Sequence, residues 1–359
     1  MNHAGKAGTE KYVESLIKGL NNKEVKAYLA FCEEGLLVEN LREMGIETFR
    51  IVMRHPFDLK AAWALSLLCK KLGIDIIHTQ YLRENYIAAW SRLFNPKVKV
   101  FYTNHFILRN NLVLRIFNRI VTLMESNIIA VCTRGKEMMI LNGLDRKKIK
   151  IIFNAVDPYY WAEPPESDFR HELGIDENVY IILCASRFAH DKGHKFLVNA
   201  IADLKKITEG EFLCVLANDG PFLEQVKLQV KELKLEEEVI FIGFRKDIKN
   251  LYYGADLYIN SSEHEALSFA ILEVLGSGLP IIATDMGGNS DIINEETNCG
   301  ILVKYDDAKS LAEAIDKVMS DLDLQVTLRK NALNTIRDKF NLVNMITETY
   351  NLYKDSYNQ

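Results

Sequence analysis

Two carboxylates and two cations carry most of the chemistry this sequence offers. Glu265 and Glu273 are separated by seven residues within Ser261 to Gly288, which reads SSEHEALSFAILEVLGSGLPIIATDMGG. A strand-like run, Ala255 to Asn260, leads into a short turn crowded by Glu263, His264 and Glu265. Ser268 is placed to N-cap a helix from about Phe269 to Leu275. Gly276 and Gly278 end that helix, Pro280 opens an apolar strand, Ile281 to Thr284, and Gly287-Gly288-Asn289 turn into another helix. Amides at a helix N-terminus, here those near Leu267 and Ser268, suit a phosphate. Glu273 falls about five residues into the helix, roughly 7 Å along its axis at ~1.5 Å per residue. Carboxylates accept hydrogen bonds from hydroxyls, so two of them flanking a phosphate cradle point to a sugar nucleotide, sugar on one side and ribose on the other. Glu273 sits between Leu272 and Val274 in a helix that is apolar almost all round, where a carboxylate needs a partner. Simple solvation of the pair is the weaker reading.

The cations are Arg187 and Lys192, on a loop between the strand Val179 to Ala185 and a helix from Lys195 to Lys205. Both can reach a diphosphate, the arginine as a fork and the lysine as a point charge. Two histidines, His78 and His105, follow apolar runs and so fall at the strand ends where ligands collect in an open parallel sheet. For each, a hydrogen-bonded core histidine is the competing reading.

These residues need elements to hold them, and the chain supplies an alternation. Strands are expected at Val25 to Cys32, Glu47 to Met53, Ile74 to Thr79, Val98 to Thr103, Ile128 to Cys132 and Ile149 to Phe153, with helical patterns between them. The same alternation resumes from Val179 and argues for parallel sheets with crossover helices. At 359 residues there is length for two such domains. Pro158, Pro164 and Pro165, with the polar run to Asp168, mark a linker. The six cysteines lie scattered in apolar runs without a C-x-x-C pair, which reads as reduced core thiols.

The chain opens with a glycine-rich turn, Gly5 to Gly8, into a helix from Thr9 to Leu20. No strand-like run precedes it, although a doubly wound domain would open on one, so the chain is expected to be short at its amino terminus. The net charge of −5 hides an asymmetry: residues 1–160 carry a net of +9 and residues 161–359 a net of −14. A basic first half suggests an anionic surface or glycan as partner. Phe106 to Met124 adds Arg109, Arg115 and Arg119 to an apolar pattern in which Leu114, Phe117 and Val121 share a face. That is the pattern either of a membrane-surface helix or of an internal crossover helix with a solvated arginine edge. No apolar run approaches 18 residues and no signal-peptide pattern opens the chain, so a cytoplasmic location is expected, and the basic first half adds a peripheral place on the inner face of the cell membrane.

The organising stretch resembles the signature of retaining glycosyltransferases of the GT-B fold, specifically glycosyltransferase family four. The resemblance rests on Glu265 and Glu273 after a strand and before Gly278-Leu279-Pro280, with Ala266 where the family usually has glycine. Ser186-Arg187 to Lys192-Gly193 is similar to the family's G-R-…-K-G loop, Asn218-Asp219-Gly220-Pro221 to its G-D-G-P turn, and Asn154-Ala155-Val156-Asp157 to its N-G-V-D hinge. The resemblance implies two Rossmann-like domains with parallel sheets facing across a cleft. The acceptor-side domain would span 1–158 and the nucleotide-sugar domain 159–340, with a C-terminal helix, 341–359, crossing back.

It further implies sugar transfer from a nucleoside diphosphate sugar, UDP- or GDP-linked, to a hydroxyl acceptor with retained configuration. A growing cell-surface polysaccharide or a lipid-linked glycan is the preferred acceptor. Arg187, Lys192 and helix amides would stabilise the leaving diphosphate in place of a metal, and no other cofactor is expected. Glu265 would hold sugar hydroxyls, Glu273 the ribose, and His105, in its T-x-H segment, the sugar. Gly8 and Glu10 match the family's first loop near the phosphates, and the backbone at Phe244 and Arg245 matches the place that holds the base. Nucleic-acid motifs are absent from the sequence. Two other classes stay open: a nucleotide-sugar epimerase of the same architecture, and a non-catalytic sugar-nucleotide-binding accessory protein.

Overall fold

The computed structural model describes residues 1, 8–21, 23, 25–166 and 168–358. The chain divides into two compact units, one comprising Met1–Asn154 with Leu342–Gln359 and the other Ala155–Asn341.

In the first unit, α1 (Gly8–Asn21) and β1 (Leu29–Phe31) precede α2 (Leu36–Glu43) and β2 (Thr48–Arg50). Then come α3 (Leu59–Leu72), β3 (Ile76–Thr79), α4 (Leu82–Ser91), β4 (Lys99–Asn104) and α5 (Leu112–Val121). β5 (Asn127–Ala130), α6 (Thr133–Leu141) and β6 (Ile149–Ile151) follow. The strands form two parallel sheets, β1-β2 and β3-β4-β5-β6.

The second unit opens with two short helices, α7 (Pro158–Ala162) and α8 (Phe169–Leu173). Each is started by an aspartate, Asp157 or Asp168, whose carboxylate accepts from the first backbone amides. β7 (Tyr180–Ala185), α9 (His194–Ile207), β8 (Phe212–Ala217), α10 (Leu223–Glu232), β9 (Val239–Gly243) and α11 (Ile248–Gly254) come next. They are followed by β10 (Leu257–Asn260), α12 (Phe269–Gly276), β11 (Ile281–Thr284), α13 (Asn289–Ile292) and β12 (Ile301–Val303), then α14 (Ala308–Ser320) and α15 (Leu322–Asp338). The sheet order is β12-β11-β10-β7-β8-β9, with every pair parallel. β10 and β11 are buried along their whole length, as expected of strands covered by helices on both faces. α9 and α14 pack one face through Leu197, Ile201, Leu204, Leu311 and Ile315.

The last helix, α16 (Leu342–Tyr357), belongs to the first unit. Its Tyr353 lays its ring edge-on to Phe101 of β4, 4.9 Å between centroids, and hydrogen-bonds His78. Thr349 and Tyr353 are buried there. α5 resolves the two readings of its arginine-flanked sequence in an unexpected way. Leu114, Phe117 and Val121 pack inward against Tyr86 and Ala89, so the face seen in the sequence is the internal one. Leu112, Val113, Ile116 and Ile120 on the helix, with Leu108 and Leu123 beside it, are the exposed set.

Candidate functional site

The second sheet reverses its winding between β7 and β10, the position at which an open parallel sheet leaves a crevice beyond its strand ends. The loop after β7 and the loop after β10 meet there. Ser261 Oγ donates to Lys192 O at 2.8 Å, and Glu263 N donates to Asp191 O at 2.8 Å. Gly193 has φ +66°, and a Cβ there would fall 1.9 Å from Ser261 O, so this approach requires glycine. A third loop, after β11, closes from the other side. A Cβ on Gly287, at φ +56°, would fall 1.8 Å from Glu265 O. Thr284 Oγ1 donates to Ser262 O, and Gly288 N to Ala266 O. Glu265 is therefore held by backbone contacts on both sides.

The side chains converge on one oxygen. Lys192 Nζ donates to Glu265 Oε1 at 2.8 Å and Ser262 Oγ to the same atom at 2.9 Å. Both ions are largely shielded, Lys192 at 21% and Glu265 at 14% exposure. Arg187 lies exposed on the same loop as Lys192. Behind them, α12 points its amino end toward the loop that carries Glu265. Ser268 occupies the cap position, but its side chain makes no capping hydrogen bond, contrary to the role expected of it. Leu267 is buried beside it. Glu273, five residues past the cap, is 5% exposed and hydrogen-bonds the Tyr252 hydroxyl, the partner its burial demands. Burial, more than this neighbour, pushes the Tyr252 phenol well above its ordinary range.

The remaining expected residues divide. Phe244 is exposed. Arg245 is committed within its own unit: its guanidinium pairs with Asp247 and, at 2.7 Å, with Glu172 of α8, whose other oxygen takes Asn250. These bonds hold the Asp247 carboxyl down to about 2. Gly8 and His105 lie on the first unit. Gly8 begins α1, and Tyr12 of that helix meets the His105 ring edge-on at 4.9 Å. His105 Nε2 shares a 2.9 Å hydrogen bond with Gln80 Oε1, and burial lowers its pKa to about 3, leaving the imidazole neutral. His78 is bonded through both nitrogens, to Thr103 and Tyr353, and is likewise pushed down to about 3 by burial. Both of its ring nitrogens are thus satisfied by side chains of the first unit.

Sequence reasoning missed Ser262, Tyr252 and Gln80. Ser262 stands three residues before Glu265 and could have been read as its turn partner. The other two reach their partners only through the tertiary fold.

The family description "Glycosyl transferases group 1" matches residues 165–335, and "Glycosyltransferase Family 4" matches residues 7–160. The chain belongs to this glycosyltransferase family. Among relatives within it, the N-acetyl-alpha-D-glucosaminyl L-malate synthase of Bacillus anthracis is 24% identical, covering 87% of this chain and 83% of its own. The UDP-Gal:alpha-D-GlcNAc-diphosphoundecaprenol alpha-1,3-galactosyltransferase of Escherichia coli is 26% identical, covering 83% and 80%. The solved structure of Anabaena HepE in complex with UDP superposes at a TM-score of 0.87 with 21% identity, covering 99% of this chain and 98% of that one. The two Rossmann-like units with parallel sheets are those of the GT-B glycosyltransferases.

Proposed function

We propose that this glycosyltransferase moves a sugar from a uridine diphosphate sugar to a hydroxyl of a lipid-linked or growing polysaccharide acceptor, with retention of anomeric configuration and without a metal. The observation that carries the reading is the Lys192–Glu265 pair, clamped between two glycine approaches in front of the α12 amino end. An ammonium shielded beside one carboxylate is poised to be shared with an incoming diphosphate. Together with Arg187 and the first amides of α12, it supplies positive charge where the leaving group becomes most negative. Glu265 then orients the sugar hydroxyls and Glu273 the ribose. His105, neutral at physiological pH, offers a hydrogen bond to the sugar rather than a charge. The uridine donor is supported by the UDP bound in HepE and by the UDP-Gal named for the Escherichia coli relative. The lipid-linked acceptor is supported by that relative's diphosphoundecaprenol substrate.

An acceptor of that kind sits at a membrane, and α5 supports contact with one. Its exposed leucines and isoleucines are interleaved with Arg109, Arg115 and Arg119, a composition that suits an anionic interface. Among the described residues, no helix is long and apolar enough to cross a membrane.

The test is thermal unfolding against UDP-, GDP- and ADP-sugars with and without EDTA, followed by NMR assignment of the product anomer. A shift with one UDP-sugar, unchanged by EDTA and lost in Glu273→Ala, with a product of the donor's configuration, is expected. Loss of turnover in EDTA, or an inverted product, would overturn the metal-free retaining reading.

A further inference from the structure

Two neutral imidazoles lie toward the carboxyl ends of neighbouring strands in the first unit, and they differ in how completely they are bonded. His78, in β3, uses both ring nitrogens, one on Thr103 Oγ1 at 2.7 Å and the other on the Tyr353 hydroxyl. His105, the first residue past β4, is bonded through Nε2 alone, to Gln80 Oε1. Among the described residues its Nδ1 has no hydrogen-bond partner, and that atom is not sealed from solvent.

The half-bonded ring is nevertheless held in place. Tyr12, fully buried, meets it edge-on. On its other flank the Asn104 side chain accepts from Phe106 N at 3.1 Å and donates to Phe106 O at 2.9 Å, which fixes the chain on both sides of His105. Gln80 is fixed as well. It is the first residue past β3 and 5% exposed, and its backbone N donates to Glu84 Oε2 at 3.4 Å. β3 and β4 run in parallel register with Thr79 opposite Tyr102, which brings the two strand ends together.

The direction of the bond between them follows from the groups. A neutral imidazole carries one N–H and one lone pair, and an amide oxygen only accepts. The bond to Oε1 therefore places the ring proton on Nε2 and leaves a lone pair on Nδ1. Without Gln80 Oε1, an Nε2–H would be a donor with no acceptor beside the buried end of β3, which is costly.

We propose that Gln80 is a positioning residue for transfer: it holds His105 in the Nε2–H tautomer, so that Nδ1 accepts a hydrogen bond from a hydroxyl of the transferred sugar. This rests on the sugar-transfer reading above and gives it a direction. The sugar must present an O–H to this nitrogen, and an oxygen or fluorine without a proton does not serve. An analogue lacking that proton leaves the Nδ1 lone pair unpaired, which is how a site of this kind rejects it.

The experiment reads the His105 ring by ¹⁵N NMR in the unaltered chain and in Gln80→Met, which is close in length and lacks the acceptor, with His105→Phe to assign the signals. The unaltered chain is expected to show Nε2 protonated and Nδ1 bare. In Gln80→Met the proton should move to Nδ1, which water can reach, in about half of the molecules or more. The kcat/KM for the UDP-sugar should fall about tenfold or more, while the Kd for UDP, which has no sugar to meet His105, stays within about threefold. Replacing each sugar hydroxyl by fluorine in turn should find one position that costs about tenfold or more in the unaltered chain and less than about threefold in Gln80→Met. An Nδ1–H ring in the unaltered chain would mean that the Gln80 amide presents its NH₂ group, and would overturn the proposal. So would a tautomer unchanged in Gln80→Met, or a kcat/KM kept within about threefold after the proton has moved. The ring signals need no turnover, so a failure of the sugar-transfer reading shows in the kinetics of the unaltered chain and a failure of this tautomer shows in the spectrum.

Discussion

Replacing Gly287 with alanine tests whether the loop after β11 sets the position of Glu265. The new Cβ would lie 1.8 Å from Glu265 O, and ordinary contact begins near 3.4 Å, so the two loops must part by more than about 1 Å. Holding alanine at φ +56° adds about 1–2 kcal/mol of backbone cost. With the overlap, the total destabilisation is about 2–4 kcal/mol, which lowers the melting temperature by roughly 5–15 °C for a unit of this size. A displacement of that order at a group that orients substrate costs about 100-fold in turnover. The assay is kcat/KM for transfer from the UDP-sugar, measured at least 15 °C below the variant's own melting point, beside its unfolding curve. Gly210→Ala is the control: its Cβ would meet nothing closer than 3.6 Å, and both readouts should match the parent. A Gly287→Ala protein that melts early but keeps kcat/KM within about threefold would refute the idea that this contact positions the reacting groups.

Four further outcomes are expected. Lys192→Met removes one of the two donors to Glu265 Oε1 and should cut kcat by about 100-fold or more while costing only about 1–2 kcal/mol of stability, read by kinetics and urea unfolding together. Tyr353→Phe leaves His78 Nδ1 without its partner in a buried setting and should cost about 1–3 kcal/mol, with faster amide exchange along α16 as its signature. Burial raises the Glu125 carboxyl to about 7, above its unfolded value, so the folded chain binds the extra proton. Stability from this group should therefore be full below about pH 4.5 and be lost as pH rises through about 7, and Glu125→Gln should flatten that slope in melting curves between pH 5 and 8. Ile116→Glu with Ile120→Glu, both on the exposed side of α5, should weaken sedimentation with anionic vesicles at least about tenfold without moving the melting temperature by more than about 2 °C.

Much of this fold was legible in the residues, because parallel strands buried on both faces are nearly continuous apolar runs that punctuate the chain clearly. Ile281 to Thr284 and Leu257 to Asn260 are examples, and their loops fall where glycine, proline and capping residues place them. The loops bearing Arg187, Lys192 and Glu265 were visible for the same reason. What could not be read was which groups meet across long separations. The Lys192–Glu265 bond spans 73 residues, and the His78–Tyr353 bond spans 275. Likewise, the apolar stripe of α5 was plain in the sequence. The pattern fitted a membrane-surface helix or an internal crossover helix equally, and only the packing of Leu114, Phe117 and Val121 against Tyr86 shows that this face turns inward.

The division of the chain also has a consequence for synthesis. The second unit is one uninterrupted stretch, closed at its base by the bridge between Val156 and Asn341. The first unit needs α16, which follows the whole second unit in the chain. On the ribosome the second unit can complete itself as soon as its final residues emerge, while the earlier-made unit waits for Leu342 onward. Until then Phe101 and His78 stay uncovered beside Tyr12. The first-born half is thus the last to mature, and a chain stopped just short of α16 should engage chaperones through the amino-terminal unit alone.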